Sequence, residues 1–128
     1  MQTDNPGLWI SISAALMAIS IISGAFGAHL LKASLDVSML NVYNKANFYM
    51  FINSLGLLVI QSLPSSCFSR PQRNVISKIM FLGLILFSGS LFSLVLSGIT
   101  RFALFTPVGG TLLIVAWILM AYSSYKAK

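Results

Sequence analysis

Polar side chains within long apolar stretches are the residues of this sequence best placed to do chemistry. Asn53 follows Lys45 by eight positions, which puts it about 12 Å further along a helix at 1.5 Å per residue. Tyr49, Asn53 and Gly56 have helical spacing and share one face. This face is interpreted as the wall of a small polar pocket or as a helix contact made through the Asn53 amide.

The single histidine and the single cysteine limit the other chemistry available. His29 has no second histidine to join it, Cys67 is alone, and Asp4 and Asp36 lie outside the apolar stretches. We therefore expect no metal site, cofactor site, acid pair or catalytic triad, and no catalytic residue. His29 is interpreted as a packed or interfacial side chain or, alternatively, as a proton relay or a ligand of a headgroup phosphate.

The elements that position these residues are long apolar helices. Of 128 residues 57% are hydrophobic and 8% are charged, with a mean hydropathy of +0.89, which excludes an ordinary soluble domain. Charged and helix-breaking residues bound four apolar stretches. The sequence predicts one all-α membrane domain, a four-transmembrane-helix bundle with spans at residues 8–28, 46–63, 79–99 and 106–125.

The segment between the first two spans has its own helical pattern. Its apolar residues recur at intervals of three or four positions: Leu31, Leu35, Met39, Val42 and Ala46. This period predicts a short amphipathic helix on the membrane surface, or a helical extension of the second span.

The basic residues set an expected orientation. Five of them fall on the side of the termini (Arg70, Arg73, Lys78, Lys126 and Lys128), and three fall on the other side (Lys32, Lys45 and Arg101). This bias favours cytoplasmic termini. Because these charges are dispersed, no nucleic-acid partner is expected, and Arg101 is interpreted as a headgroup contact or an orientation residue.

A small crevice or a tightly packed polar cluster is predicted in the outer half of the membrane, where the glycine-rich end of span one and the starts of spans two and four meet. Its candidate residues are His29, Tyr49, Asn53, Ser88, Ser90 and Thr106. Thr106 is also expected to cap the last helix, with Pro107 in its first turn. The loop between spans two and three, on the opposite side, shows no comparable feature.

Two stripes of small residues are expected to let helices approach closely. One consists of Ser20, Gly24 and Ala28, and the other of Gly89, Ser93 and Ser97. Small residues at four-residue intervals are typical of helix contacts in membranes. The expected partners are the lipid bilayer and a second copy of the chain or another membrane protein.

Three local strings occur in one order along the chain. They are residues 24–29 (GAFGAH), 86–91 (LFSGSL) and 106–110 (TPVGG). Together they resemble the YgdD/YwdK-like family of small multi-pass membrane proteins, over about residues 14–125. The resemblance implies a bacterial inner-membrane location and supplies no established activity. Where the family tends to carry histidine after the tyrosine of the second span, this chain has Met50 and Asn53, and Asn53 does not titrate.

The leading functional prediction is therefore a non-enzymatic membrane protein of unassigned role. The alternative is a small-solute or ion transporter or channel that works as an oligomer. A lipid-acting enzyme is the weakest hypothesis, because no catalytic set converges. The lack of a carboxylate in any span argues against a carboxylate-driven exporter.

Overall fold

The computed structural model describes residues 5–127, which form four long helices and no strand. Helix α1 is Pro6–Leu31, α2 is Val37–Ser62, α3 is Arg70–Ser97 and α4 is Thr106–Lys126. A short 3₁₀ turn, Thr100–Leu104, precedes α4. Two segments are π-helical: the last turn of α1, Gly27–Leu31, and the middle of α3, Ile85–Gly89.

Local capping chemistry explains where the first three helices begin. The side chain of Asn5 accepts a hydrogen bond from the Gly7 amide, with Pro6 in the first turn of α1. Asp36 accepts from the Met39 amide at 2.7 Å and begins α2. A capping box of Ser69 and Gln72 begins α3. Each cap satisfies backbone amides that have no partner within the helix.

The end of α3 and the start of α4 use different devices. Gly98 adopts the left-handed conformation with a φ of 72° and closes α3. Thr106 does not cap α4, contrary to the expectation from sequence, and no side chain does so. Thr106 is the first residue of α4, and the residue at the capping position before it is Phe105, whose side chain cannot accept a hydrogen bond. The Thr106 hydroxyl lies instead 2.6 Å from the Ser90 hydroxyl of α3.

The amphipathic segment does not form a separate short helix. Its first residue, Leu31, belongs to the π-helical turn that ends α1, and Val37 begins the continuous helix α2. A helical extension of span two describes this arrangement. No glycine or proline interrupts residues 37–55, so nothing in the sequence breaks the helix before span two.

The helices run up and down in an antiparallel bundle. α1 packs on α2, α2 packs on α3, and α3 packs on α4. Within residues 5–127, the main core draws on all four helices and the second loop: Trp9, Met50, Leu57, Ile60, Phe68, Ile76, Met80, Leu84, Leu113 and Ala116. A smaller cluster joins Tyr43 to Leu94 and Val95.

Antiparallel order gives the bundle two distinct ends. The connections at residues 32–36 and 98–105 lie at the end that we call the glycine end, defined by Gly27, Tyr43, Ser90 and Gly109. The connection at residues 63–69 lies at the other end, beside the start of α1 and the end of α4. We call it the arginine end, defined by Trp9, Gln61, Arg70 and Arg73.

Three of the described helices are long and apolar enough to cross a membrane: α1, α3 and α4. Helix α2 does not meet that average, because it carries Asn47, Asn53 and Gln61 within its apolar part. Asn53 and Gln61 are buried among the other helices. The mean hydropathy of α2 is therefore lowered by polar side chains that are buried and not exposed on its outer surface.

Candidate functional site

Two of the candidate polar residues join α3 to its neighbours. The Ser88 hydroxyl is buried and donates to the Ala46 carbonyl of α2 at 2.8 Å. Ser90 donates to the Phe87 carbonyl at 2.9 Å and also contacts Thr106 of α4. Ser88 lies within the π-helical segment Ile85–Gly89, and Ser90 follows it directly. These hydroxyls link three helices near the glycine end.

Asn53 makes a separate contact between α2 and α4. Its amide nitrogen donates to the Tyr49 carbonyl at 2.9 Å, and its amide oxygen accepts from the Trp117 indole at 2.9 Å. Only 3% of Asn53 is exposed. Trp117 was not among the residues predicted from the sequence, although an indole N–H within an apolar helix needs an acceptor.

The side chains of the remaining candidates lie outside these contacts. Tyr49 is partly exposed, and its ring centroid lies 4.6 Å from that of Phe87. His29 is exposed in the π-helical turn of α1, and Arg101 is exposed in the 3₁₀ turn. The six residues expected to line one crevice are thus divided among separate contacts, and His29 joins none of the hydrogen bonds found among residues 5–127.

A further contact near the glycine end was not anticipated from the sequence. The Tyr43 hydroxyl donates to the Ser23 carbonyl at 2.7 Å and lies 2.7 Å from the Ser23 hydroxyl. A Cβ atom on Gly27 would lie only 2.5 Å from the Tyr43 ring. Tyr43 stands four residues after Met39 of the amphipathic pattern, and that spacing was the available signal.

The stripe predicted on α1 is partly displaced from the contact with α2. Ser20 is buried, and a Cβ on Gly24 would lie 3.1 Å from the side-chain amide nitrogen of Asn47. Ala28 is exposed, whereas Gly27 is buried. At about 100° per residue, the position eight residues after Ser20 is rotated by 80° from it around the helix axis, whereas the position seven residues after it is rotated by only 20°. Gly27 therefore continues the face that Ser20 begins.

The stripe predicted on α3 is not the surface of closest approach. A Cβ on Gly89 would contact only the Ile85 side chain of the same helix, at 4.0 Å, while Ser93 is half-buried and Ser97 is exposed. The close crossing of α3 with α4 is at Gly83, where a Cβ would lie 2.9 Å from the Leu113 amide nitrogen. On α4 it is at Gly109, where a Cβ would overlap the backbone of Leu86 and Phe87.

The arginine end holds an open cleft, beside the loop from which no such feature was expected. Its volume is about 270 Å³. Residues from three helices and the second loop line it, including Trp9, Gln61, Ser65, Phe68, Arg70 and Arg73. Phe68 is buried in the main core, and the Trp9 indole donates to the Asn74 side chain at 3.1 Å. The cleft thus has aromatic and basic walls.

Arg73 links the cleft to the end of α2. Its two terminal nitrogens donate to the carbonyls of Gln61 at 3.2 Å and Leu63 at 2.7 Å. A cation is favourable there because the last carbonyls of a helix carry partial negative charge. The Nε atom is buried and has no hydrogen-bond partner among the described residues.

The charge of this end is positive within the described part of the chain. The only carboxylate side chain of residues 5–127 is Asp36, which caps α2 at the glycine end. Lys126 lies over the Tyr122 ring of α4, with 4.9 Å between its amine and the ring centroid. Among residues 5–127 there is no group of three or more histidine, cysteine, aspartate or glutamate residues that could hold a metal ion.

Comparison with known proteins places the chain in a family. The model of the family described as "Protein of unknown function (DUF423)" matches residues 23–110. A UPF0382 membrane protein of Staphylococcus saprophyticus is 37% identical, over 88% of this chain and 90% of its own. The UPF0382 membrane protein YwdK of Bacillus subtilis is 33% identical, over 88% of this chain and 89% of its own.

A relative of lower identity also matches most of the chain. A UPF0382 membrane protein of Haemophilus influenzae is 32% identical, over 82% of this chain and 83% of its own. No solved structure gives a significant match. The resemblance seen in the three short strings is confirmed, since YwdK is among the relatives. The chain is a membrane protein that belongs to the DUF423 family of unknown function.

Proposed function

We propose that this chain is a non-catalytic membrane protein that crosses the bilayer four times and acts through its outer surface. One observation carries this proposal, the distribution of side chains on α2. Asn53 and Gln61 are at most 9% exposed, whereas Phe48 is 59% exposed and Val59 is 43% exposed. A helix facing water buries its apolar side and exposes its polar side. The reversed arrangement suits a lipid solvent.

The hydrogen bonds of the buried polar groups support a non-catalytic role. Ser88 is bonded to a backbone carbonyl of α2, Asn53 is bonded to Trp117, and Gln61 donates to Ser77 at 2.8 Å. In hydrocarbon such bonds hold helices together. These three buried polar groups are thus committed to assembly, and we assign them no substrate.

The basic residues support a location in the cytoplasmic (inner) membrane with cytoplasmic termini. Arg70, Arg73, Lys78 and Lys126 lie towards the arginine end. Basic residues near the ends of spans are retained in the cytoplasm. Trp9, Tyr122 and Tyr125 occur at the same end, and Trp and Tyr are enriched at membrane interfaces.

Single-cysteine labelling tests the number of spans. In a Cys67→Ser background, Ser34→Cys marks the first connection and Ser66→Cys marks the second. If α2 crosses the bilayer, a membrane-impermeant maleimide applied from outside labels position 34 and spares position 66. Labelling of both positions from the same side would contradict a crossing by α2. Permeabilised cells provide the control, in which both positions react.

Reconstitution tests the transport alternative. Purified protein in liposomes is expected to add no solute or ion flux to that of empty vesicles. A flux that disappears in Asn53→Leu or His29→Ala, while the helical circular dichroism is retained, would establish transport in place of the proposed role.

A further inference from the structure

We propose that the cleft at the arginine end binds a phosphate-bearing anion through Arg70 and Arg73. The ligand class is a phosphate ester, which a lipid headgroup or a soluble anion supplies equally well. In this cleft a cavity, two arginine side chains and an aromatic wall coincide.

The size of the cleft suits a small anionic group. Its volume of about 270 Å³ is just below the range of about 300–1,000 Å³ that is typical of pockets for drug-sized ligands. Phe68 and Trp9 supply apolar surface, and Ser65 and Arg70 are exposed at its rim. A headgroup or a small phosphate ester therefore fits better than a larger cofactor.

The charge in the cleft has no counter-ion among residues 5–127. Asp36 provides the only carboxylate side chain there and lies at the opposite end of α2. The hydrogen bonds found for Arg73 go to the neutral carbonyls at the end of α2, which do not neutralise its charge. Guanidinium groups bind phosphate with paired hydrogen bonds.

The start of α3 adds to the positive potential. Arg70 is the first residue of that helix, and the capping box formed by Ser69 and Gln72 on either side of it fixes the backbone. The amino end of a long helix carries partial positive charge and favours an anion nearby. Arg70 and the helix end thus act on the same region of the cleft as Arg73.

The position of the cleft admits both sources of the phosphate. Trp9 lines it, and Tyr122 and Tyr125 lie at the same end of the bundle. In the four-span arrangement proposed above, this end lies at the level of the lipid headgroups. Binding of a lipid rests on that arrangement, whereas binding of a soluble phosphate ester does not.

Affinity measurements on the full chain test the proposal. The protein is placed in nanodiscs of phosphatidylcholine alone or mixed with phosphatidylglycerol, and bound lipid is counted by native mass spectrometry. Inorganic phosphate and glycerol 3-phosphate are titrated separately by calorimetry in neutral detergent. Retention of phosphatidylglycerol over phosphatidylcholine identifies a lipid headgroup, and saturable binding of either soluble anion identifies a soluble ligand.

Variants assign the binding to the cleft. Arg70→Gln removes an exposed charge and is expected to weaken binding about tenfold, the usual value of one hydrogen bond to a charged group. Arg73→Lys keeps the charge and loses the planar fork, with a similar loss expected. If Arg73→Lys fails to fold, Arg70→Gln decides the result alone.

Two matched controls carry the same change of charge outside the cleft. Lys78→Gln lies on the same helix and Arg101→Gln lies at the glycine end, and both residues are exposed. These controls are expected to keep the affinity of the wild type. Equal losses in all variants would overturn the proposal, as would the absence of both phosphatidylglycerol selectivity and binding of a soluble anion.

Discussion

The two ends of the bundle solve opposite physical problems. At the glycine end, neutral hydroxyl groups meet in contacts such as Ser90 with Thr106 and Tyr43 with Ser23, and glycine lets the helices come close. At the arginine end, basic side chains surround an open cleft that holds no carboxylate from residues 5–127. Neutral groups can satisfy one another locally, but charges of one sign cannot. Among the described residues, the hydroxyl groups of the glycine end therefore satisfy one another, whereas the arginine end has positive charge without a carboxylate beside it.

A substitution at Gly109 has the largest expected effect, because it tests the close approach of α3 and α4 at the glycine end. In Gly109→Ala, the added methyl group would overlap backbone atoms of Leu86 and Phe87, which cannot move aside as a side chain tip does. We expect the free energy of unfolding to fall by about 3 kcal/mol or more, measured by denaturant titration in detergent.

The adjacent glycine is the control for that change. In Gly110→Ala, the new methyl group would lie 3.5 Å from the Phe87 ring, an ordinary contact, and alanine favours the helix. Stability is expected to be unchanged or slightly raised. If Gly109→Ala were as stable as Gly110→Ala, α3 and α4 would not cross where the structure has them.

A smaller effect is expected midway between the two ends. Asn53→Leu leaves the Trp117 indole N–H without its acceptor and should cost about 1–2 kcal/mol of unfolding free energy. A double-mutant cycle with Trp117→Phe isolates the bond. The two changes together should cost less than the sum of the single changes. Strict additivity would show that the bond does not contribute. Asn44→Leu, on the exposed side of α2, is the control.

The smallest effect is expected at the arginine end. Arg70 is exposed, so Arg70→Gln should change the unfolding free energy by less than about 0.5 kcal/mol in neutral detergent without an added anion. The same titration measures it. A loss of 2 kcal/mol or more would mean that this charge is needed for folding, and the contrast between the ends would then fail.

The sequence predicted the helices better than the contacts between them. Asp36, Ser69 and Gly98 act locally, and the helix bounds follow from such residues together with the long apolar stretches. The partners of a side chain depend on how each helix is rotated about its axis. The π-helical segment Ile85–Gly89 adds a residue to one turn of α3 and changes the face on which Ser93 and Ser97 lie.

The cleft was missed for a related reason. The sequence shows Arg70 and Arg73 as loop charges, and nothing in their spacing tells that Trp9, more than sixty positions earlier, lies beside them. Long-range neighbours of this kind come from tertiary packing, which periodicity does not encode. The helical fold could therefore be predicted from composition, whereas the cleft at the arginine end was found only in the three-dimensional structure.

The bond between Asn53 and Trp117 has a consequence for how the protein is made. The two residues are 64 positions apart, and Trp117 belongs to the last of the four described helices in chain order. Until α4 has been synthesised, the amide oxygen of Asn53 lacks this donor, and α2 is too polar on average to be a strong insertion signal by itself. The described bundle therefore cannot complete this contact before α4 is made, and a chain truncated before α4 is expected to be an early substrate for membrane proteases.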